Sequence, residues 1–409
     1  MKVKKILFVT DSLICGGAER ALVALLQALD YEKYEVDLLY FCQEQTYFKD
    51  QIPEQVHILH PETATQIALS SGSYVLKHLL DIRYWPLVFN RLWAALWGKL
   101  QPDKYYARRV KDWKRMRRFV PKLEGTYDAA IAFLETSSVY YTLDQTSAST
   151  YIVWQRTDYK TTGCDARLDG AYFQRANSIC VLSEEMKENF LKVFPEFSQR
   201  IVVFPNLIDV SAIIQKGKEP VEFDDSYQGL RIISVGTLRQ VKGYDVAMRA
   251  CRKMLDDGYS FRWYILGSGE EQERLQNEIH RLNIADHFIL VGNCRNPYPY
   301  ISRSDIFVQC SYREGFSTTV FEAKCLQKPI VITDAPGMRN QITNNVNGLI
   351  APVGDSNAVA EAIESLLCAP EERKRFSNAL QSNILEYQNN VEEKLNLFDT
   401  ITSNMEENG

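Results

Sequence analysis

From residue 231 onward, short apolar runs, turn residues and helical patterns follow one another in a fixed order. Arg231–Val235 precedes Gly236, Phe261–Leu266 precedes Gly267-Ser268-Gly269, and His287–Val291 precedes Gly292. Asp305–Cys310 precedes a loop centred on Glu314, and Pro329–Thr333 precedes Asp334. Helical segments fill the gaps, roughly Tyr244–Asp256, Glu270–Leu282 and Thr319–Leu326. Strands that take turns with helices pair in parallel, and the loops at their C-terminal ends are the ones that meet ligands. The first half starts the same way. Lys4–Thr10 is a buried-type strand, Asp11–Gly17 a loop, and Leu22, Leu25, Leu26 and Leu29 fall at helical spacing. Val36–Phe41, Val56–Leu59, Tyr127–Leu134, Tyr151–Trp154, Asn177–Ser183 and Arg200–Pro205 read as further strands. The expected class is α/β with two doubly wound domains, residues 1–210 and 230–385. The polar, acidic, turn-rich residues 211–229 are read as a linker, and 386–409 as a C-terminal helix and tail.

A chain of 409 residues, 45% hydrophobic and 24% charged, has the size and composition for two folded domains. A net charge of −5 gives no global case for a nucleic-acid partner. The nine cysteines are scattered, odd in number and without a CxxC pair, so reduced thiols in a cytosolic protein are expected. The apolar run Ile6–Val9 is too short for a signal-peptide core, and no run of about 18 apolar residues predicts a transmembrane helix. His57 and His60 lie three apart on a strand and point to opposite faces, which disfavours a metal site there. Gly267-Ser268-Gly269 lacks a third glycine and a downstream acid, so it does not support a nicotinamide site.

Tyr312–Thr333 carries the densest chemistry. A strand runs into a polar loop and then into a helix N-terminus, whose first N–H groups have no internal partner and attract anions. Glu314 and Glu322 flank those donors, eight residues apart. A phosphate on the donors with sugar hydroxyls on the carboxylates is one use of this arrangement. The other is structural: Thr319-Val320-Phe321-Glu322 fits a capping box, and Glu314 is then an ordinary loop acid. In Gly236–Gly243, Arg239 and Lys242 stand between strand and helix, where they can hold a diphosphate by charge-assisted hydrogen bonds or be merely solvated. Gly16-Gly17 lets a ligand approach the backbone closely, or makes a tight turn and nothing more.

Residues 74–122 differ from the rest. Trp85, Val88, Phe89, Leu92, Trp93, Leu96 and Trp97 recur at helical spacing, and Trp113 lies beyond. Lys104, Arg108, Arg109, Lys111, Lys114, Arg115, Arg117, Arg118 and Lys122 face only Asp103 and Asp112. This composition suits an anionic membrane surface, through 82–122, where each basic residue contributes about 1 kcal/mol. The competing readings are a core-facing aromatic stripe with a solvated basic face and, more weakly, an RNA-binding surface.

Several of these stretches resemble one family. Glu314–Ala323, read E-G-F-S-T-T-V-F-E-A, is similar to the E-x7-E motif of the retaining glycosyltransferases of family 4, which have the GT-B fold: two Rossmann-like domains facing a central cleft. The resemblance implies that Glu314 contacts the donor sugar and Glu322 the ribose. It also implies that the backbone of Gly315, Phe316, Ser317, Thr318 and Thr319 faces sugar and phosphates. Gly16–Arg20, G-G-A-E-R, is similar to the family's N-terminal signature, which places Gly16 and Gly17 near the donor phosphates. Gly236–Gly243 resembles G-R-L-x-x-x-K-G. Lys242 and Gly243 match, while Thr237 occupies the family arginine position and Arg239 stands two residues later. Trp154–Tyr159 resembles W-x-H-T-D-Y, with Arg156 where the family has its cleft histidine. Pro205–Asp209 resembles P-N-G-[IV]-D, with Leu207 for glycine, and the C-terminal helix is expected to cross back to the first domain. The implied activity is metal-independent transfer from a nucleotide-sugar, UDP-linked by preference, to a glycan or lipid-linked glycan acceptor, at the inner face of the cell membrane. Glu314 and Arg156 are its expected catalytic residues; no cofactor, metal or nucleic acid is expected, and no D-x-D occurs in the chain. A non-catalytic partner subunit and a sugar-nucleotide epimerase are the alternatives.

Overall fold

Ile6, Leu7, Phe8 and Val9 have no exposed surface, as a strand covered on both faces requires. They form the centre of β1 (Lys4–Leu13) in a computed structural model that describes residues 3–14, 16–70, 72–100, 105–221, 223, 225–389 and 391–403. For 45, 99, 105–108, 161 and 382–389 it describes the backbone only. The other strands around β1 are β2 (Tyr34–Thr46), β3 (Val56–Leu59), β4 (Tyr127–Ala132), β5 (Ala148–Gln155), β6 (Ser178–Val181) and β7 (Ile201–Val203). Among the described residues they make one parallel sheet in the order β3-β2-β1-β4-β5-β6-β7. The chain steps outward from β1 to β3, then returns to the other side at β4. The C-terminal ends of β1 and β4 are therefore the switch point of the sheet.

Residues up to Ile208 and from Glu392 onward form one compact unit. The helix Val391–Thr402 is joined to this unit by aromatic packing. Phe398 stacks on Phe8 with centroids 6.1 Å apart and meets Tyr34 edge-on at 5.7 Å. Asp399 accepts from Lys33 Nζ at 3.1 Å and from Tyr34 Oη at 2.5 Å.

Asp209 to Val391 is the second unit. Its strands β8 (Leu230–Val235), β9 (Phe261–Leu266), β10 (Phe288–Gly292), β11 (Ile306–Gln309), β12 (Ile330–Thr333) and β13 (Leu349–Ala351) pair in parallel in the order β10-β9-β8-β11-β12-β13. Val246, Ala250 and Met254 of the helix Tyr244–Asp256 bury against Val359 and Ile363 of the helix Ser356–Leu367 within one core. Both units are thus doubly wound α/β domains.

Three expectations change. Residues 211–217, read as the start of the linker, belong to a helix, Val210–Gly217. Asp209 caps it by accepting from the Ala212 N–H at 2.8 Å, and Val210 and Ile213 are buried. Its apolar residues, Val210, Ala212, Ile213 and Ile214, were averaged into a window dominated by the polar, acidic stretch that follows them, so composition hid the helix. Trp113 does not extend an exposed aromatic stripe. With Val110 and Met116 it turns into the core, its Nε1 donating to Asp144 at 2.8 Å. Trp85, Phe89, Leu92, Trp93, Leu96 and Leu100 of the helix Trp85–Leu100 are exposed, which removes the reading of that stripe as a core face. Lys104 and the side chain of Arg108 lie outside the described residues.

Replacing Phe398 with alanine removes a buried ring from the Phe8–Tyr34 contact. Urea unfolding should show the first unit losing about 3–5 kcal/mol, with the second unit's transition unmoved.

Candidate functional site

In the second unit β8 and β11 are neighbours, so the loops leaving them are adjacent. Gly243 has φ 67°, and a Cβ there would collide with the carbonyl oxygen of Cys310. That close approach lets Tyr312 N–H donate to Val241 O at 2.8 Å. On its other side the 313–317 loop rests on the segment after β12. Glu314 N–H donates to Pro336 O at 3.1 Å and Ser317 N–H to Gly337 O at 3.2 Å. Gly337, with φ 77°, lies where a Cβ would stand 2.5 Å from Glu314 O. Gly267 and Gly269 have a matching structural use. A Cβ on either would strike the backbone of Gly236 or Leu238. They brace the loop that carries Lys242.

Held this way, Lys242 Nζ lies 2.6 Å from Glu314 Oε1, to which Ser311 Oγ also donates at 2.8 Å. The Lys242 side chain is 18% exposed and the Glu314 side chain 12%. Arg239 is placed differently. Its side chain is 58% exposed and lies 3.7 Å from Glu270, a solvent-screened pair. Gly315 and Phe316 complete the loop, with Phe316 tilted against Phe321 at 6.1 Å. The helix runs Thr318–Cys325 with Ser317 as N-cap, and Ser317 makes no side-chain cap bond. Thr318 and Thr319 therefore present first-turn N–H groups without a side-chain cap.

The capping-box reading of Thr319–Glu322 fails. With the cap at Ser317, Glu322 is the fifth helical residue, too deep to reach back to the N-cap. It is buried, with Oε1 3.2 Å from Tyr298 Oη. Ser311 is a site residue that sequence reading passed over. It sits one residue before the Tyr312–Thr333 stretch, just after β11.

In the first unit, Gly16 and Gly17 join β1 to the helix Gly17–Ala28. A Cβ on Gly16 would overlap Glu19 Oε2, so the glycine makes room for a carboxyl folded back over the turn. Burial pushes the Glu19 carboxyl up to about 7, against its own backbone N–H and the charge of Arg156. Asp11 is likewise raised by burial, and it accepts from Ser138 Oγ at 2.7 Å. Glu135 follows β4 and accepts from Thr157 Oγ1 at 2.7 Å. Thr136, next to it, takes φ 64°, ψ −108°, a costly conformation for a β-branched residue. Arg156 is buried. Its guanidinium lies 4.0 Å over the Phe133 ring and donates through both terminal nitrogens to Asn206 Oδ1, at 3.1 and 3.0 Å. Burial lowers it to about 10, although Glu135 and Glu19 act the other way. The structure thus gathers three carboxyls and an arginine at the switch point of the first sheet. Of the four, sequence reading singled out Arg156 alone; the turn residues Gly16-Gly17 between Asp11 and Glu19 were the available signal for those two acids.

The Glu19 shift sets a pH dependence. Below its ordinary value of 4.5 the carboxyl is protonated folded or unfolded. Between 4.5 and about 7 only the folded state holds the proton, so stability falls as pH rises. Above that window the penalty is complete, up to ~3 kcal/mol. Glu19→Gln should raise the urea midpoint of the first unit at pH 8 and leave it near wild type at pH 4; an equal gain at both would refute the assignment.

With this geometry in view, the relatives are informative. Residues 223–382 match the family model "Glycosyl transferases group 1". The chain is 26% identical over 369 residues to the N-acetylgalactosamine-N,N'-diacetylbacillosaminyl-diphospho-undecaprenol 4-alpha-N-acetylgalactosaminyltransferase of Campylobacter jejuni, covering 90% of this chain and 91% of that one. It is 28% identical to an uncharacterized glycosyltransferase of Methanocaldococcus jannaschii, over 58% of this chain and 61% of the relative, less than two thirds of its length. Among solved structures, Anabaena HepE in complex with UDP-glucose superposes with a TM-score of 0.66 at 15% identity, over 96% of this chain and 99% of that one. The fold is of the GT-B type, two Rossmann-like domains, and residues 223–382, within the second unit, match the group 1 glycosyl transferase model.

Proposed function

We propose that this chain transfers a sugar, with retention of configuration, from a nucleotide-sugar to a hydroxyl of a lipid-linked glycan in surface polysaccharide synthesis. The observation that carries the reading is the Lys242–Glu314–Ser311 cluster beside a helix N-terminus without a side-chain cap, inside the group 1 domain. A donor diphosphate arriving at Lys242 Nζ competes with the Glu314 carboxylate for the same ammonium. Glu314 is then released to accept from hydroxyls of the donor sugar. Glu322 takes the ribose hydroxyls in exchange for the Tyr298 hydroxyl. Gly16 and Gly17 keep the role the family resemblance gives them, close backbone approach to the donor phosphates.

As the sugar–phosphate bond breaks, its electron pair goes to the diphosphate. Lys242 and the N–H groups of Thr318 and Thr319 stabilise that growing charge without having to reorganise. The acceptor hydroxyl loses its proton to the departing phosphate as its oxygen bonds the anomeric carbon. Charge neutralisation is assigned to these groups rather than to a metal. A UDP donor is favoured because the superposed Anabaena protein is in complex with UDP-glucose. The lipid-linked acceptor is favoured by the diphospho-undecaprenol in the name of the Campylobacter relative. Arg156 keeps its expected catalytic role, its terminal nitrogens held on Asn206 within the first unit.

A thermal-shift screen with UDP, GDP, ADP and CMP tests the donor site. At a ligand concentration about a hundredfold above Kd the wild type gains ~2.7 kcal/mol. Lys242→Ala and Glu322→Ala should lose most of that gain. Glu314→Gln should keep it and lose transfer by about a hundredfold or more. No shift with any nucleotide would overturn the proposal. A UDP shift without hydrolysis or transfer would point to a non-catalytic partner subunit.

A further inference from the structure

The helix Trp85–Leu100 presents a face that its own unit does not cover. Leu87 and Val88 are buried against the first unit, whereas Trp85, Phe89, Trp93, Leu96 and Leu100 are exposed. Their spacing of three or four residues lines them along one side of the helix. A helix of this length puts them over about 22 Å. Leu80, just before it, is 95% exposed. Isolated exposed leucines are ordinary, but a continuous apolar stripe is a contact surface.

The next helix, Tyr105–Met116, packs on this one and says what the contact is. It turns Val110, Trp113 and Met116 into the core and exposes Lys111, Lys114 and Arg115. From Arg109 to Lys122 the chain has seven basic residues and one acid, Asp112, within a protein of net charge −5. A buried protein–protein face has no use for such a density of positive charge beside its apolar stripe, since interface cores are depleted of lysine. A bilayer carrying anionic headgroups uses both. Aromatic and aliphatic side chains enter the acyl boundary while lysine and arginine hold the headgroups. Among the described residues no helix is long and apolar enough to cross a membrane, so a contact of this kind lies along the surface.

We propose that the first unit docks on an anionic lipid surface through the exposed face of the Trp85–Leu100 helix, with Lys111, Lys114 and Arg115 as its electrostatic flank. Docking does not depend on sugar transfer, and it makes the chain a reversible, salt-sensitive peripheral protein.

Flotation of the full-length chain with phosphatidylcholine vesicles, with and without phosphatidylglycerol, tests it. Binding should require phosphatidylglycerol and weaken with salt. Phe89→Ser/Trp93→Ser/Leu96→Ser and Lys111→Gln/Lys114→Gln/Arg115→Gln should each lower vesicle partitioning about tenfold or more. Both triple variants should keep the wild-type urea midpoint, which separates lost docking from lost folding. Equal binding to both vesicle types, or flotation unchanged in either variant, would overturn the proposal. So would a wild-type dimer in analytical ultracentrifugation that the serine variant breaks, since a second copy of the chain would then cover the stripe.

Discussion

Neighbouring parallel strands can be joined only by chain that crosses back over the sheet, and this constraint organises everything else in the protein. Each crossover returns the chain to the same edge, so the loop after β8 meets those after β11 and β12 although about 70 to 100 residues separate it from them in sequence. A lysine that follows one strand and a glutamate that follows another become a 2.6 Å ion pair for that reason. The first sheet does the same at the C-terminal ends of β1, β4 and β5, where Asp11, Glu19, Glu135 and Arg156 collect.

The loops approach more closely than side chains permit, and glycine resolves the conflict at two positions. Gly243 and Gly337 combine positive φ with backbone contacts that leave no room for a Cβ. Loop-to-loop hydrogen bonds from Tyr312, Glu314 and Ser317 then set the orientation of the Glu314 carboxylate before any ligand arrives. Preorganisation of this sort matters more for chemistry than for stability, because the charged groups need not reorganise as the reaction proceeds.

Much of this was legible along the chain. The repeated order of apolar run, turn residue and helix announced two doubly wound domains. Lys242 and Glu314 stood out because each follows a strand directly. Glu322 was ambiguous, since a capping box and a buried carboxylate share the same letters; only the position of the N-cap separates them, and a shift of two residues decided it. The Val210–Gly217 helix was hidden because the acidic, turn-rich residues after it dominate the composition of the 211–229 stretch. Trp113 was grouped with its neighbours because periodicity tells which residues share a face, but not which way the face points. Glu19 and Asp11 passed unnoticed because their altered acidity comes from burial, which is a property of the packed unit.

By itself the sequence determined the fold class, the identity of the strands that carry loops, and the presence of an apolar stripe beside a basic run. These depend on local period and composition, which any stretch of chain displays on its own. Tertiary structure decided which of those groups meet, which are buried and which face solvent. It paired Lys242 with Glu314 while leaving Arg239 outside, it held Arg156 on Asn206, and it turned Trp113 inward and Trp93 outward. The physical reason is that burial and long-range hydrogen bonding arise only when strands distant in sequence are brought side by side.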